Sequence, residues 1–287
     1  MATSARGLVG WSDQRWAAVQ EAVSKALART AKCRQVIPKG ADQIGANTVT
    51  VPNVGAGAPI AYGPDILITS VQVYTNANID DQHIDDERAV LRLVEVSGAA
   101  LGALEDQEIL HGTPAPGPAV LQAGRLKRTP ALPSGQVVPP PARPAPTLMG
   151  AGGAAPNSLQ ITNAIAVAKA ALETAGRPGS FGLLLHNNLV AMLKLPMSAG
   201  GAPAIQAVEE IIGSSEIVGT SALDGTYVGG QCCGVLFRLE PAAIDLVQTQ
   251  NPTVTVLGRT GGITNIRVEE DIAVRVLDPT AVHYIEY

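Results

Sequence analysis

The spacing of apolar and polar positions divides the chain into a helical start, a strand-rich stretch, one long helix, a proline-rich interval and a mixed second half. In GWSDQRWAAVQEAVSKALARTAKC, residues Trp16, Val19, Val23 and Leu27 recur with Ala26 and Ala31 at three- and four-residue intervals. That is the pattern of an amphipathic helix with one apolar stripe. Ser12 stands where an N-cap hydroxyl accepts from a first-turn amide. A stripe of this kind packs on the chain's own core, docks on another subunit or receives a peptide.

Residues 48–51 and 66–74 alternate and are rich in β-branched side chains, as paired strands should be. Between them the chain is Gly- and Pro-rich and too small and polar to build a core. A long two-stranded arm is not stable by itself in water. It must lie along something else, and a neighbouring subunit is the obvious candidate.

ERAVLRLVEVSGAALGALEDQEILHG is the longest helical pattern, with Val90, Leu91, Val94, Leu101, Leu104 and Ile109 on a broad apolar face and Gly112 as a C-terminal stop. Residues 87–111 would span about 37 Å at 1.5 Å per residue, long enough to be the backbone of a flat, extended subunit. Gly98 and Gly102 each cost about 1 kcal/mol of helix propensity, which predicts a close crossing by another element. Residues 113–157 hold more than half of the chain's 21 prolines. Missing amide donors rule out regular helix or central strand over much of that stretch, leaving an extended, partly polyproline II loop. Loops of this length are functional, anchored on a neighbour or disordered. From Ser158 onward helices alternate with strands: SLQITNAIAVAKAALETAG closed by Gly176, the buried strand SFGLLLHNN, two short helices, then strands to the C-terminus.

Composition changes this picture little. A chain of 287 residues, 46% hydrophobic, affords a sizeable core in one large domain or two smaller ones. Aromatic residues are only 3% and charged residues 16%, which predicts small-residue packing and many turns. A net charge of -5 with no long Lys/Arg run argues for solubility and against a nucleic-acid groove. Cys33, Cys232 and Cys233 are too few and too poorly spaced for a zinc site or disulfide framework, consistent with a reducing cytosol. The first residues lack the apolar core of a signal peptide, and no stretch of about 18 apolar residues predicts a membrane span.

Chemistry is most concentrated in NIDDQHIDDERAV, where Asp80, Asp81, His83, Asp85, Asp86 and Glu87 stand close together. Helical spacing would bring His83 near Glu87 and Asp81 near Asp85. Yet catalytic zinc sites recruit a distant ligand, and calcium loops need alternating oxygens around a central glycine; neither pattern is present. Acidic residues at the start of a helix are favoured by its macrodipole and open amides, which accounts for every residue of the run. Cys232 and Cys233 read as small buried hydrophobes, His186 as part of a turn and His111 as a helix C-terminal cation. GAGAPIAYG and GAGGAAP lack the lysine of a phosphate loop. No catalytic residue, metal site or cofactor is expected, with a metal-dependent enzyme using the acidic run of residues 80–87 as the lesser alternative.

Four segments, taken in order, carry a family likeness: WSDQRWAAVQEAVSKALARTAKCRQVIP, VQVYTNANIDDQHIDDERA, ALEDQEILHG and VEEDIAVRVLDPTAV. Together they resemble encapsulin shell proteins, which are related to tailed-phage major capsid proteins of the Hong Kong 97 phage fold. The resemblance implies an α+β fold. It has an N-terminal helix and strand (1–39), an extended arm (40–75), a peripheral domain with the spine helix (76–112 and 158–181), an axial domain (182–250) and C-terminal strands returning to the peripheral domain (251–287). The Pro-rich insertion, 113–157, is much longer than the loop usual at that point. The implied function is a homo-oligomeric structural subunit, not an enzyme, that self-assembles into a hollow icosahedral nanocompartment in the cytoplasm, or a phage capsid protein enclosing DNA in a virion. The arm would contact a neighbour through Val49, Val51, Ile60, Tyr62, Ile66 and Ile68. Encapsulin N-terminal helices receive a targeting peptide from cargo protein, which nominates Trp16, Val19, Val23 and Leu27. Some phage capsids cross-link an arm lysine. Here Lys39 precedes the arm and none lies within it, so a non-covalent shell is expected.

Overall fold

The computed structural model describes residues 8–51, 54–55, 61–62, 66–110, 147–149, 155–196, 201–223, 225 and 232–286. Helix α1 (Asp13–Thr30) begins where the Ser12 hydroxyl accepts from the Arg15 amide at 3.3 Å, the expected cap. A 3-10 turn, Cys33–Gln35, follows. Strands β1 (Thr48–Val51), β2 (Val54–Gly55), β3 (Ala61–Tyr62) and β4 (Ile66–Thr69) make the arm. Strand β5 (Val71–Asp80) leads to α2 (Glu87–Leu110). Then come β6 (Thr147–Leu148), α3 (Ser158–Thr174), β7 (Phe181–His186), α4 (Asn187–Leu193), α5 (Ala204–Ile212) and β8 (Ile217–Thr220). Strands β9 (Cys232–Arg238), β10 (Ile244–Thr260), β11 (Ile263–Val276) and β12 (Val282–Glu286) complete the chain.

Two sheets organise the body. An antiparallel three-stranded sheet has the order β10-β11-β5. Its long hairpin turns at Gly261 and Gly262, both at positive φ (62° and 83°), which the tight turns suited to strand twist require. The second sheet has the order β6-β12-β9-β7-β8. Successive side chains of a strand point to opposite faces, and here both faces are covered. Leu184, Val235, Phe237, Val282 and Tyr284 join the core made by α1, α2 and the three-stranded sheet. Phe181, Leu183, Leu185, Leu236 and Ile285 join a second core under α3, α4 and α5.

Several segment boundaries differ from those the sequence suggests. Residues 66–74 are not one strand: the chain changes sheets at Ser70, whose amide bonds to the Asn47 carbonyl at 3.0 Å. Helix α3 packs with α5, α4 and β12 rather than on α2, because its buried stripe of Ile161, Ile165, Ala168 and Leu172 belongs to the second core. The C-terminal strands divide. β10 and β11 lie beside β5, whereas β12 sits between β6 and β9. Val282, His283, Tyr284 and Ile285 are all buried, and a strand buried on both faces takes an interior position.

Candidate assembly surfaces

The arm is a ribbon. β1 pairs antiparallel with β4 from Thr48↔Thr69 to Val51↔Ile66, and β2 pairs with β3 through Val54↔Tyr62. Among the described residues neither pair is joined by a third strand, so outer edges with open donors and acceptors remain. Among the described residues the root of the ribbon is built into the body. Val49 is buried with Val247 and Ala273. Arg275 forks onto Asp245, donating from Nε to Oδ1 at 2.7 Å, and its Nη1 reaches the Thr50 carbonyl at 3.1 Å. Of the expected arm contacts, Ile60 lies outside the described residues; Val51, Tyr62, Ile66 and Ile68 occupy ladder positions in the ribbon.

The N-terminal stripe has a different setting. Trp16, Val19, Val23 and Leu27 are all buried in the chain's own core, the first of the three alternatives its spacing allows. Helix α2 comes so close that a Cβ on Gly98 would stand 3.0 Å from the Val23 carbonyl oxygen, and one on Gly102 would stand 2.7 Å from the Ala31 amide nitrogen. The two glycines therefore mark the crossing that their propensity cost predicted. Among the residues α1 offers to solvent are Ala17, Glu21, Ser24, Lys25 and Ala28. Leu104, expected on the buried face of α2, turns outward at 40% exposure with Val96 at 63%.

Only the end of the acidic run, Asp86 and Glu87, starts a helix; Asp80 ends β5 and Asp81 turns to the β10–β11 hairpin, so helix entry does not account for every residue of the run. Asp86 Oδ1 accepts from the amides of Arg88 at 3.0 Å and Ala89 at 3.4 Å. Asp80 caps the amide of Gln82, while Asp81 takes Arg259 and the Thr264 hydroxyl. Trp11 and Arg15 donate to the Ile84 carbonyl at 3.1 and 2.8 Å, fastening α1 to the foot of α2. Among the described residues no three His, Cys, Asp or Glu side chains are grouped to hold a metal. His186 caps α4, its Nδ1 accepting from the Asn188 amide at 3.2 Å; His111 and Gly112 lie outside the described residues.

Sequence reasoning missed a charged knot at the far end of α2. Arg34 donates to both oxygens of Glu105 at 3.0 and 2.7 Å and, through Nη2, to Glu270 at 2.8 Å. Both carboxylate side chains are fully buried, at 0% exposure. Burial, then the neighbouring Glu270 charge, push the Glu105 carboxyl up to about 8 against the pull of Arg34. Next to it Asp106 accepts from the Cys33 amide and the Thr220 hydroxyl, each at 2.8 Å; burial raises its pKa, opposed by these bonds. The signal was present in the sequence: Glu105, Asp106 and Glu108 stand in the last turns of a helix, where its dipole disfavours negative charge, so partners had to be sought elsewhere in the chain.

The arrangement of the chain as a whole is similar to that of solved structures. The subunit of a virus-like particle from Pyrococcus furiosus matches with a TM-score of 0.68 and 15% identity, covering 94% of this chain and 99% of that one. The capsid of Myoviridae phage XM1 matches at 0.60 with 10% identity, covering 90% and 91%, and the capsid of an empty GTA particle at 0.58 with 12%, covering 90% and 96%. This is the Hong Kong 97 phage-type capsid fold. No protein-family model and no curated protein matches the sequence, so the likeness resides in the backbone. Leu148 and Val167 are exposed and line a shallow groove between β6 and α3. Among the described residues no helix is long and apolar enough to cross a membrane.

Proposed function

We propose that this chain is a shell subunit that self-assembles into a hollow icosahedral particle. The observation that carries the reading is the arm: a ribbon rooted by Val49 and Arg275 whose strands pair with nothing further among the described residues. A two-stranded ribbon gains stability when another surface covers it, and a closed symmetric assembly of identical copies supplies that surface at every position. The three-stranded sheet with α1 and α2 would be the peripheral part, and the five-stranded sheet with α3, α4 and α5 the axial part. Within this class we favour a cytoplasmic compartment enclosing cargo protein, because the virus-like particle subunit matches over 99% of its own length with the highest of the three TM-scores. Trp16, Val19, Val23 and Leu27 would then shape a cargo site indirectly, by holding α1 against α2, with a targeting peptide lying on the outer face of α1. The second reading, a phage capsid protein enclosing DNA, is favoured by the 113–157 insertion, which would decorate or brace a shell.

Size-exclusion chromatography with negative-stain microscopy tests the assembly. Hollow particles eluting far ahead of a 29.5 kDa monomer are expected. A folded monomer that stays single at high concentration refutes the proposal. Nuclease-sensitive nucleic acid inside purified particles would decide for the DNA-enclosing reading, and co-purifying protein carrying a shared terminal peptide for the compartment.

A further inference from the structure

The Arg34 knot has more negative charge than one guanidinium balances. Glu105 and Glu270 both accept from the same Arg34 Nη2, at 2.7 and 2.8 Å, which holds the two carboxyls side by side. Neither side chain has any exposure to solvent, and Glu270 Oε1 finds no donor among the described residues. The titratable and charged groups facing Glu105 are Glu270 from β11 and, from the turn after α1, Arg34 and the Cys33 thiol, which burial and then the nearby Asp106 and Glu105 hold well above its ordinary range. Asp106, one residue along α2, is engaged by the Cys33 amide and by Thr220 of β8. Two carboxylates sealed together against one cation do not both ionise readily: desolvation and mutual repulsion favour a shared proton. The knot joins the segment after α1, the end of α2, β11 and, through Asp106, β8. It is the place where the N-terminal helix is fastened to both sheets.

We propose that Glu105 and Glu270 hold one proton between them in the folded subunit, and that the knot is a latch which loosens when alkali removes it. The proton sits on Glu105 and hydrogen-bonds to Glu270; Arg34 then balances the single remaining charge. On deprotonation a second negative charge is sealed beside the first and the cluster gains from opening to water. The direction with pH follows. The unfolded Glu105 releases its proton near its ordinary value of 4.5, while the folded one keeps it up to about 8. Stability from this pair is full below 4.5 and is lost as pH rises to about 8, the unfolding constant growing by up to about tenfold per pH unit. The device belongs to each subunit's fold and operates whether or not the shell proposal holds.

Infrared spectroscopy of the full-length protein tests it by following the protonated-carboxyl stretch from about pH 5 to about pH 10, a range that brackets the linkage window. A band from a buried carboxyl that persists at neutral pH, disappears near pH 8 and is lost in Glu105→Gln is expected. Glu270→Gln should move the loss to lower pH, because one of the two causes that raise Glu105 is then gone. Hydrogen exchange in residues 31–36, corrected for intrinsic rate, should rise in the wild type between about pH 5 and about pH 8, level off above that and stay flat in Glu105→Gln, as linkage to this one proton requires. Absence of the band at neutral pH overturns the proposal, and so does the same rise in exchange in the wild type and Glu105→Gln. If Glu105→Gln does not fold, the shift in Glu270→Gln decides alone.

Discussion

Replacing Gly102 with alanine isolates the helix crossing on which the N-terminal half depends. In an exposed helix the change would stabilise by about 1 kcal/mol, since alanine loses less backbone entropy than glycine. Here the new methyl would run into the Thr30 hydroxyl and stand 2.7 Å from the Ala31 amide nitrogen, where 3.4 Å marks ordinary contact. The hydroxyl can turn away only by giving up its bond to the Ala26 carbonyl at 2.8 Å, a loss of about 1 kcal/mol. The amide is main chain and moves only if α1 and α2 separate by several tenths of an ångström, an overpacking cost of about 1–3 kcal/mol. Offsetting the propensity gain leaves Gly102→Ala destabilised by about 1–3 kcal/mol. Gly98→Ala, whose closest contact is 3.0 Å, should come out near neutral because gain and cost are similar. Thermal unfolding at matched protein concentration, which fixes the contribution of any assembly, should place Gly102→Ala about 2–6 °C below wild type and below Gly98→Ala. A Gly102→Ala protein as stable as wild type, or more so, would show that the helices are not in close contact at this point.

The remaining tests probe other joints. Arg275→Ala should cost about 3 kcal/mol in chemical unfolding, because the carboxylate of Asp245, whose side chain is 3% exposed, loses its fork; particle yield should fall with it as the arm loses its bond at Thr50. Asp86→Ala removes the cap of α2 and should cost about 1 kcal/mol, with Asp86→Asn recovering most of it. His283, whose Nε2 lies 2.8 Å from the Thr147 hydroxyl, has its pKa lowered from 6.5 by burial. Below 6.5 the unfolded state takes up a proton that the folded state refuses, so stability should fall with acid in that range. His283→Asn should abolish this dependence, as seen in unfolding midpoints across mildly acidic buffers.

What the sequence determined by itself is what local pattern encodes. The stripe of α1 and its Ser12 cap, the acidic start of α2, the helix that Gly176 closes and the strand at Phe181 follow from period, cap and turn residues within a dozen positions of one another. Gly98 and Gly102 also announced a crossing, because a helix tolerates paired glycines when another backbone lies against them. Tertiary structure alone decided the pairing of β12 with β9, the change of sheet at Ser70 and the turning outward of Leu104, since a strand's partner is chosen by surfaces far away in the chain. It also decided the fate of Arg34, Glu105 and Glu270. Arg34 lies 71 residues from one partner and 236 from the other. In sequence Arg34 and Glu270 carry no local mark of this role, and Glu105 only its place in the last turns of a helix. Only the closing of α1, α2 and β11 around them excludes water, and the exclusion of water turns three surface-type residues into a buried, proton-holding joint.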